Sequence, residues 1–223
     1  MAVQTGEGTV EIIYGSTSVP GGPRTLGGYL ARPALEGEWP TVLIFGPEPT
    51  PTSTVKNMCR VLARHGLAVL APDVTESHEA NESISQAVAG FLADPTGEWS
   101  NGQFGYGVIG FGAGVYDATR LAELDGRTLC GAIVGGTIDD LAADSLVEAA
   151  IPVLAILSRE DESTDAEASL ATRDRAPQTT FVLYSDGSEG FWDESAEGFD
   201  EELQTDVVER LVEFFTDQLP PKV

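Results

Sequence analysis

Gly110-Phe111-Gly112-Ala113-Gly114 is the segment of this sequence whose residue types and spacing come nearest to stating a chemistry. It follows the apolar run Val108-Ile109 and precedes a helical pattern carried by Val115, Ala118, Leu121 and Ala122. A tight strand-to-helix turn of this kind does one of two jobs. As G-x-G-x-x-G it holds the pyrophosphate of a dinucleotide at a helix N-terminus. As G-x-Nu-x-G it is a nucleophile elbow, with small residues flanking a reactive side chain in a strained turn. The dinucleotide pattern needs a third glycine or alanine, and Val115 stands there. It also needs an acid after the next strand to hold the ribose, and residues 130–134 supply none. A dinucleotide-binding protein is therefore the minor alternative. The elbow pattern fits at both flanks, Gly110 and Gly114, but its central residue, Gly112, has no atom that could attack.

The elements that must position this turn alternate along the chain. Residues 9–14 and 25–32 read as two strands joined by the turn-rich residues 16–24, an antiparallel pair. Residues 41–45 form a short continuous apolar strand, ending in Gly46-Pro47-Glu48. Ser53 is positioned to cap a helix whose inner face is Val55, Met58, Cys59 and Leu62, with Gly66 as its stop. Further strands are expected over residues 67–71, 103–109, 128–134, 151–157 and 179–184. Helices are expected from Ser83 to the Asp94-Pro95 stop, after the glycine turn, near residues 145–150, over about 166–175, and along Leu203, Val207, Leu211, Phe214 and Phe215. From residue 41 onward strand follows helix, so right-handed crossovers build a mostly parallel sheet with helices on both faces. The fold class is α/β, and residues 1–223 read as a single domain. Ligands in such folds bind beyond the carboxyl ends of the strands.

Composition narrows the partners. Thirty-six acids against 12 bases give a net charge of −24, which repels nucleic acid and anionic membranes. The acidity itself reads as an adaptation for solubility or high salt. No apolar stretch approaches the roughly 20 residues of a membrane span, and the N-terminal residues lack the basic-then-apolar layout of a signal peptide. A soluble cytoplasmic protein is expected. Cys59 and Cys130 lie in apolar periodic segments and read as reduced core residues. Only two histidines occur, His65 and His78, which limits any acid–base relay.

The chain resembles the dienelactone hydrolase family of the α/β-hydrolases over nearly its whole length. The resemblance is carried by Gly28-Tyr29-Leu30-Ala31-Arg32-Pro33 and Pro40-Thr41-Val42-Leu43-Ile44. It continues through Leu62-Ala63-Arg64-His65-Gly66-Leu67-Ala68-Val69-Leu70-Ala71-Pro72-Asp73, Val108-Ile109-Gly110-Phe111, Pro152-Val153-Leu154 and Gly190-Phe191. It implies an α/β-hydrolase fold, an antiparallel N-terminal hairpin, and a triad of nucleophile, acid and histidine. Carried over by position, the nucleophile falls on Gly112, the acid on Asp161 and the histidine on Glu189. Glu189 lacks the two-nitrogen relay by which histidine acts first as base and then as acid. An oxyanion hole built from the Ala113 N–H and the loop near Gly46 could remain, and alone it gives only residual catalysis.

No other residue completes the triad. His65 ends a helix and reads as its C-terminal cap. His78 follows the Pro72-Asp73 strand end, on the correct edge, as a loop residue. Ser158, Ser185 and Ser188 lie on the same edge as turn residues. Asp73, Asp161 and Glu189 match no metal-ligand spacing, so no metal or cofactor is expected. The expectation is a dienelactone hydrolase-like protein without nucleophilic hydrolysis, a binding or interaction module. Its ligand residues would be Gly46, Glu48, Gly112, Ala113 and His78, around a cleft over Gly112. A protein partner or homo-oligomer is compatible with this reading. The alternative is an active hydrolase, lyase or cyclase on a small ester or lactone, with Asp161 and Glu189 as an acid–base pair.

Overall fold

The computed structural model describes residues 8–20, 25–75, 78–93 and 98–223. Among the described residues, eight strands form one sheet in the order β1-β2-β4-β3-β5-β6-β7-β8. They are β1 (Ile12–Pro20), β2 (Thr25–Pro33), β3 (Thr41–Phe45), β4 (Ala68–Pro72), β5 (Tyr106–Phe111), β6 (Thr128–Val134), β7 (Val153–Ser158) and β8 (Thr179–Tyr184). The first two pair antiparallel, and β2 runs antiparallel to β4; every other pairing is parallel. The expected hairpin is present, but β1 begins later than residue 9 and runs on to Pro20. Residues 16–20 were expected to turn. Instead they alternate against β2, from Ser16 opposite Tyr29 to Pro20 opposite Thr25, and Val19 is fully buried. Its burial under the sheet outweighs the local turn propensity of the serines.

Among the described residues, six α-helices cover the sheet: α1 (Ser53–Arg64), α2 (His78–Ala93), α3 (Val115–Leu124), α4 (Asp140–Ala149), α5 (Ala166–Ala171) and α6 (Glu201–Gln218). Because successive strand residues point to opposite faces, β3 splits its side chains between two cores. Leu43 and Phe45 join Ile84, Val88 and Leu92 of α2, the inner residues of α3, and Leu146 of α4. Val42 and Ile44 join Val55, Met58 and Leu62 of α1 with Val207, Leu211 and Phe215 of α6. The strands Thr41–Phe45, Ala68–Pro72, Tyr106–Phe111 and Val153–Ser158 are buried at every position, as continuous apolar runs in a doubly covered sheet should be. Cys59 and Cys130 are free and buried, and burial pushes both thiols up to about 12. No helix among the described residues is long and apolar enough to cross a membrane.

Local details depart from expectation where a cap or a buried side chain decides. The α1 cap is Thr52, whose hydroxyl accepts from the Val55 N–H at 3.2 Å; Ser53 is already inside the helix. His65 occupies the α1 C-cap, followed by Gly66 at φ +92°. Helix α2 starts at His78, so that residue heads a helix and is not in a loop as expected; its side chain lies outside the described residues, as do residues 94–97. Helix α4 starts at Asp140, well before residue 145, because Asp139 caps it through the Ala142 N–H at 2.8 Å. Helix α5 is shorter than expected, stopping at Ala171.

Phe215 anchors α6 against the middle of the sheet: it is fully buried, and a Cβ on Gly107 of β5 would lie 2.5 Å from its ring. Phe215→Ala should therefore lower the unfolding free energy by about 3–5 kcal/mol, read from urea denaturation midpoints at constant m-value.

Candidate functional site

The turn after β5 is built by steric exclusion. Phe111 is still extended (φ −102°, ψ 129°), Gly112 swings to φ +53°, and Gly114 is already helical (φ −66°, ψ −6°). The chain thus passes from strand to helix within three residues. A Cβ on Gly110 would lie 2.6 Å from the Val115 Cα, and one on Gly114 would lie 2.3 Å from the Phe45 carbonyl oxygen. Both contacts are with backbone, which cannot yield. Gly112 differs. Its nearest neighbours would be Pro47 Cβ at 3.3 Å and the Gly135 carbonyl oxygen at 3.8 Å. There is room for a small side chain; glycine suits the position through its left-handed conformation.

A cavity of about 960 Å³ opens over this turn, within the size range of small-molecule sites. Gly112 and Ala113 form part of its floor, and Pro47 lines it from the loop after β3. Of the other expected ligand residues, Gly46 and Glu48 flank Pro47 without lining the cavity themselves. Pro47 has no N–H, so the loop residue nearest the Gly112 seat cannot donate to an oxyanion. Glu189 lines the cavity from the loop between β8 and α6, exposed.

Asp161 does not line it. It follows β7 and is 2% exposed, with its oxygens occupied locally. Oδ1 accepts from the Ser163 N–H at 3.0 Å and the Ser163 hydroxyl at 2.5 Å, and Oδ2 accepts from the Thr164 hydroxyl at 3.2 Å. Trp192 and Asp161 both come close to Gly135. The Trp192 Nε1 would lie 2.4 Å from a Cβ on Gly135, while Asp161 Oδ2 would lie 3.6 Å from the same point. The indole is 5% exposed, packs on Phe111 with ring centroids 4.7 Å apart, and forms part of the cavity wall. The structure thus gives Glu189 to the cavity and Asp161 to the loop beside it.

Sequence reasoning missed several lining residues, among them Trp192, Tyr116, Asp139, Asp193 and Ser163. The signal for Trp192 was available, since Phe191-Trp192 is an apolar pair within an otherwise polar loop. Asp193 fastens that loop to the body. Its Oδ1 accepts from the buried Thr54 hydroxyl at 2.5 Å and from the Ser195 N–H and hydroxyl at 2.8 and 2.7 Å. Partial burial would raise the Asp193 carboxyl, but the hydrogen bonds from Thr54 and Ser195 outweigh it and hold it below the ordinary carboxylate range.

A putative dienelactone hydrolase from Klebsiella pneumoniae superposes with a TM-score of 0.77 at 19% identity, over 92% of this chain and 99% of that one. The fold is that of the α/β-hydrolases. A dienelactone hydrolase-like promiscuous phosphotriesterase from metagenomic libraries gives 0.78 at 16% identity, over 94% and 99% of the two chains. An esterase from Pyrococcus furiosus gives 0.74 at 15% identity, over 93% of each. No protein-family model matches the sequence, and no curated protein matches it significantly. In this chain the strand-to-helix turn after β5 has Gly112 at its centre.

Two outcomes check this construction. Gly112→Ala should cost about 1–3 kcal/mol, the strain of a left-handed residue, whereas Gly114→Ala should cost more, because its Cβ meets a carbonyl of β3; paired thermal melts rank them. Asp193 is depressed in the folded state, so its contribution to stability is complete above the unfolded carboxylate range and lost as pH falls through the folded pKa. Asp193→Asn should therefore lower Tm at neutral pH and narrow its difference from the wild type below about pH 4.

Proposed function

We propose that this protein is a dienelactone hydrolase-like scaffold that binds a small molecule in the cavity over Gly112 and does not hydrolyse it through a covalent intermediate. The observation that carries the reading is the centre of the elbow. Gly112 holds the left-handed conformation of a nucleophile position beside an open cavity, with no oxygen or sulfur to attack a carbonyl. Two further features support it. Glu189, where the family resemblance would put histidine, cannot relay a proton between two nitrogens. Pro47 removes an amide donor from the loop facing the seat.

The acid–base alternative draws no support from the placement of its two carboxylates. Asp161 is buried among its own loop's donors, while Glu189 stands exposed on the cavity wall. A shared proton needs two carboxyls at hydrogen-bond distance in one low-dielectric site. The dinucleotide reading has none of the supporting features of its fingerprint beyond the first two glycines.

Hydrolysis of p-nitrophenyl acetate tests the proposal. The wild type should match Gly112→Ala and Glu189→Gln, all three at the level of a non-enzymatic protein surface. Turnover in the wild type that survives Gly112→Ala and disappears in Glu189→Gln would overturn it in favour of acid–base catalysis.

A further inference from the structure

The lining of the cavity states a charge preference. Among the described residues no lysine, arginine or histidine contributes to it, while Asp139, Glu189, Asp193 and Glu197 all do. Two of these carboxylates have structural duties: Asp139 caps α4, and Asp193 ties its loop to α1. Glu189 and Glu197 have no hydrogen bond or ion pair among the described residues. The aromatic groups Trp192 and Tyr116 also line it. An anion entering this site would find no counter-charge to replace its lost hydration, and it would meet four negative groups. A cation would find Glu189 and Glu197, without partners among the described residues, and the aromatic groups Trp192 and Tyr116 in the lining. The cavity makes the site, and the charges of its wall choose among ligands.

We propose that the cavity over Gly112 selects an organic cation, a small amine or quaternary ammonium with an apolar or aromatic body. This inference rests on the binding reading above and adds the class of ligand. Glu189 and Glu197 hold the charged head by electrostatic attraction, and the apolar body lies over Ala113 against Trp192. The carboxylate that the histidine position now bears thereby gains a role: it attracts the ligand.

Three probes sharing a benzyl body test this by isothermal titration calorimetry in 0.15 M NaCl: benzyltrimethylammonium, benzyl alcohol and phenylacetate. The cation should bind with one-to-one stoichiometry and at least about tenfold more tightly than phenylacetate. The double variant Glu189→Gln/Glu197→Gln should weaken the cation about two- to fivefold per charge removed and leave benzyl alcohol unchanged. Ala113→Trp, checked for a wild-type Tm, should abolish binding by filling the floor. Equal affinity for all three probes, or a cation affinity indifferent to the double variant, overturns the charge preference and leaves the binding reading in place. Cation binding that survives Ala113→Trp places the ligand elsewhere and also overturns it. Failure of every probe to bind counts against both.

Discussion

The contact between the Gly114 backbone and the carbonyl of Phe45 fixes where α3 can begin, and with it the floor of the cavity. A side chain at Gly114 would push the helix away from β3; one at Gly110 would push its first residue, Val115, away from β5. Held this closely, the chain must reverse within one residue, and Gly112 takes that reversal at φ +53°. In an enzyme of this fold the same constraint puts strain on a reactive side chain and presents it to the substrate. Here the constraint persists with no side chain to present. The strain is relieved, since glycine populates that conformation freely.

The remaining walls follow from this floor. Gly135 and Gly136 approach the turn from the end of β6, and the Trp192 indole packs on Phe111, the last residue of β5. Asp161 satisfies its oxygens from Ser163 and Thr164, while Glu189 lines the cavity from the loop that Asp193 fastens to α1. The site is thus a cavity with an acidic, aromatic wall and a bare floor. The fold around it is that of the α/β-hydrolases, and its wall is acidic.

Much of the architecture was legible in the sequence because continuous apolar strands and helical spacing report burial directly. The strands Thr41–Phe45, Thr128–Val134 and Thr179–Tyr184 have the expected bounds. Residues 16–20 were misread because serine and proline signal a turn locally, while the pairing that keeps them extended comes from β2. Thr52 outcompetes Ser53 as a cap because capping depends on which hydroxyl reaches the Val55 N–H, a matter of one residue of rotation. The glycine turn was visible as a motif, and its emptiness with it. What the sequence could not convey was the partition of Asp161 from Glu189. That depends on the hydrogen bonds of one short loop, which have no periodic signature.

The central claim is that the elbow offers a seat without a nucleophile, and that no other residue of the cavity serves in its place. Intact-mass measurement after treatment with diisopropyl fluorophosphate tests it most directly, because Ser163 and Ser188 also line the cavity and would be labelled if either were activated. The account predicts an unmodified wild-type protein. A stoichiometric adduct mapped to either serine would contradict it.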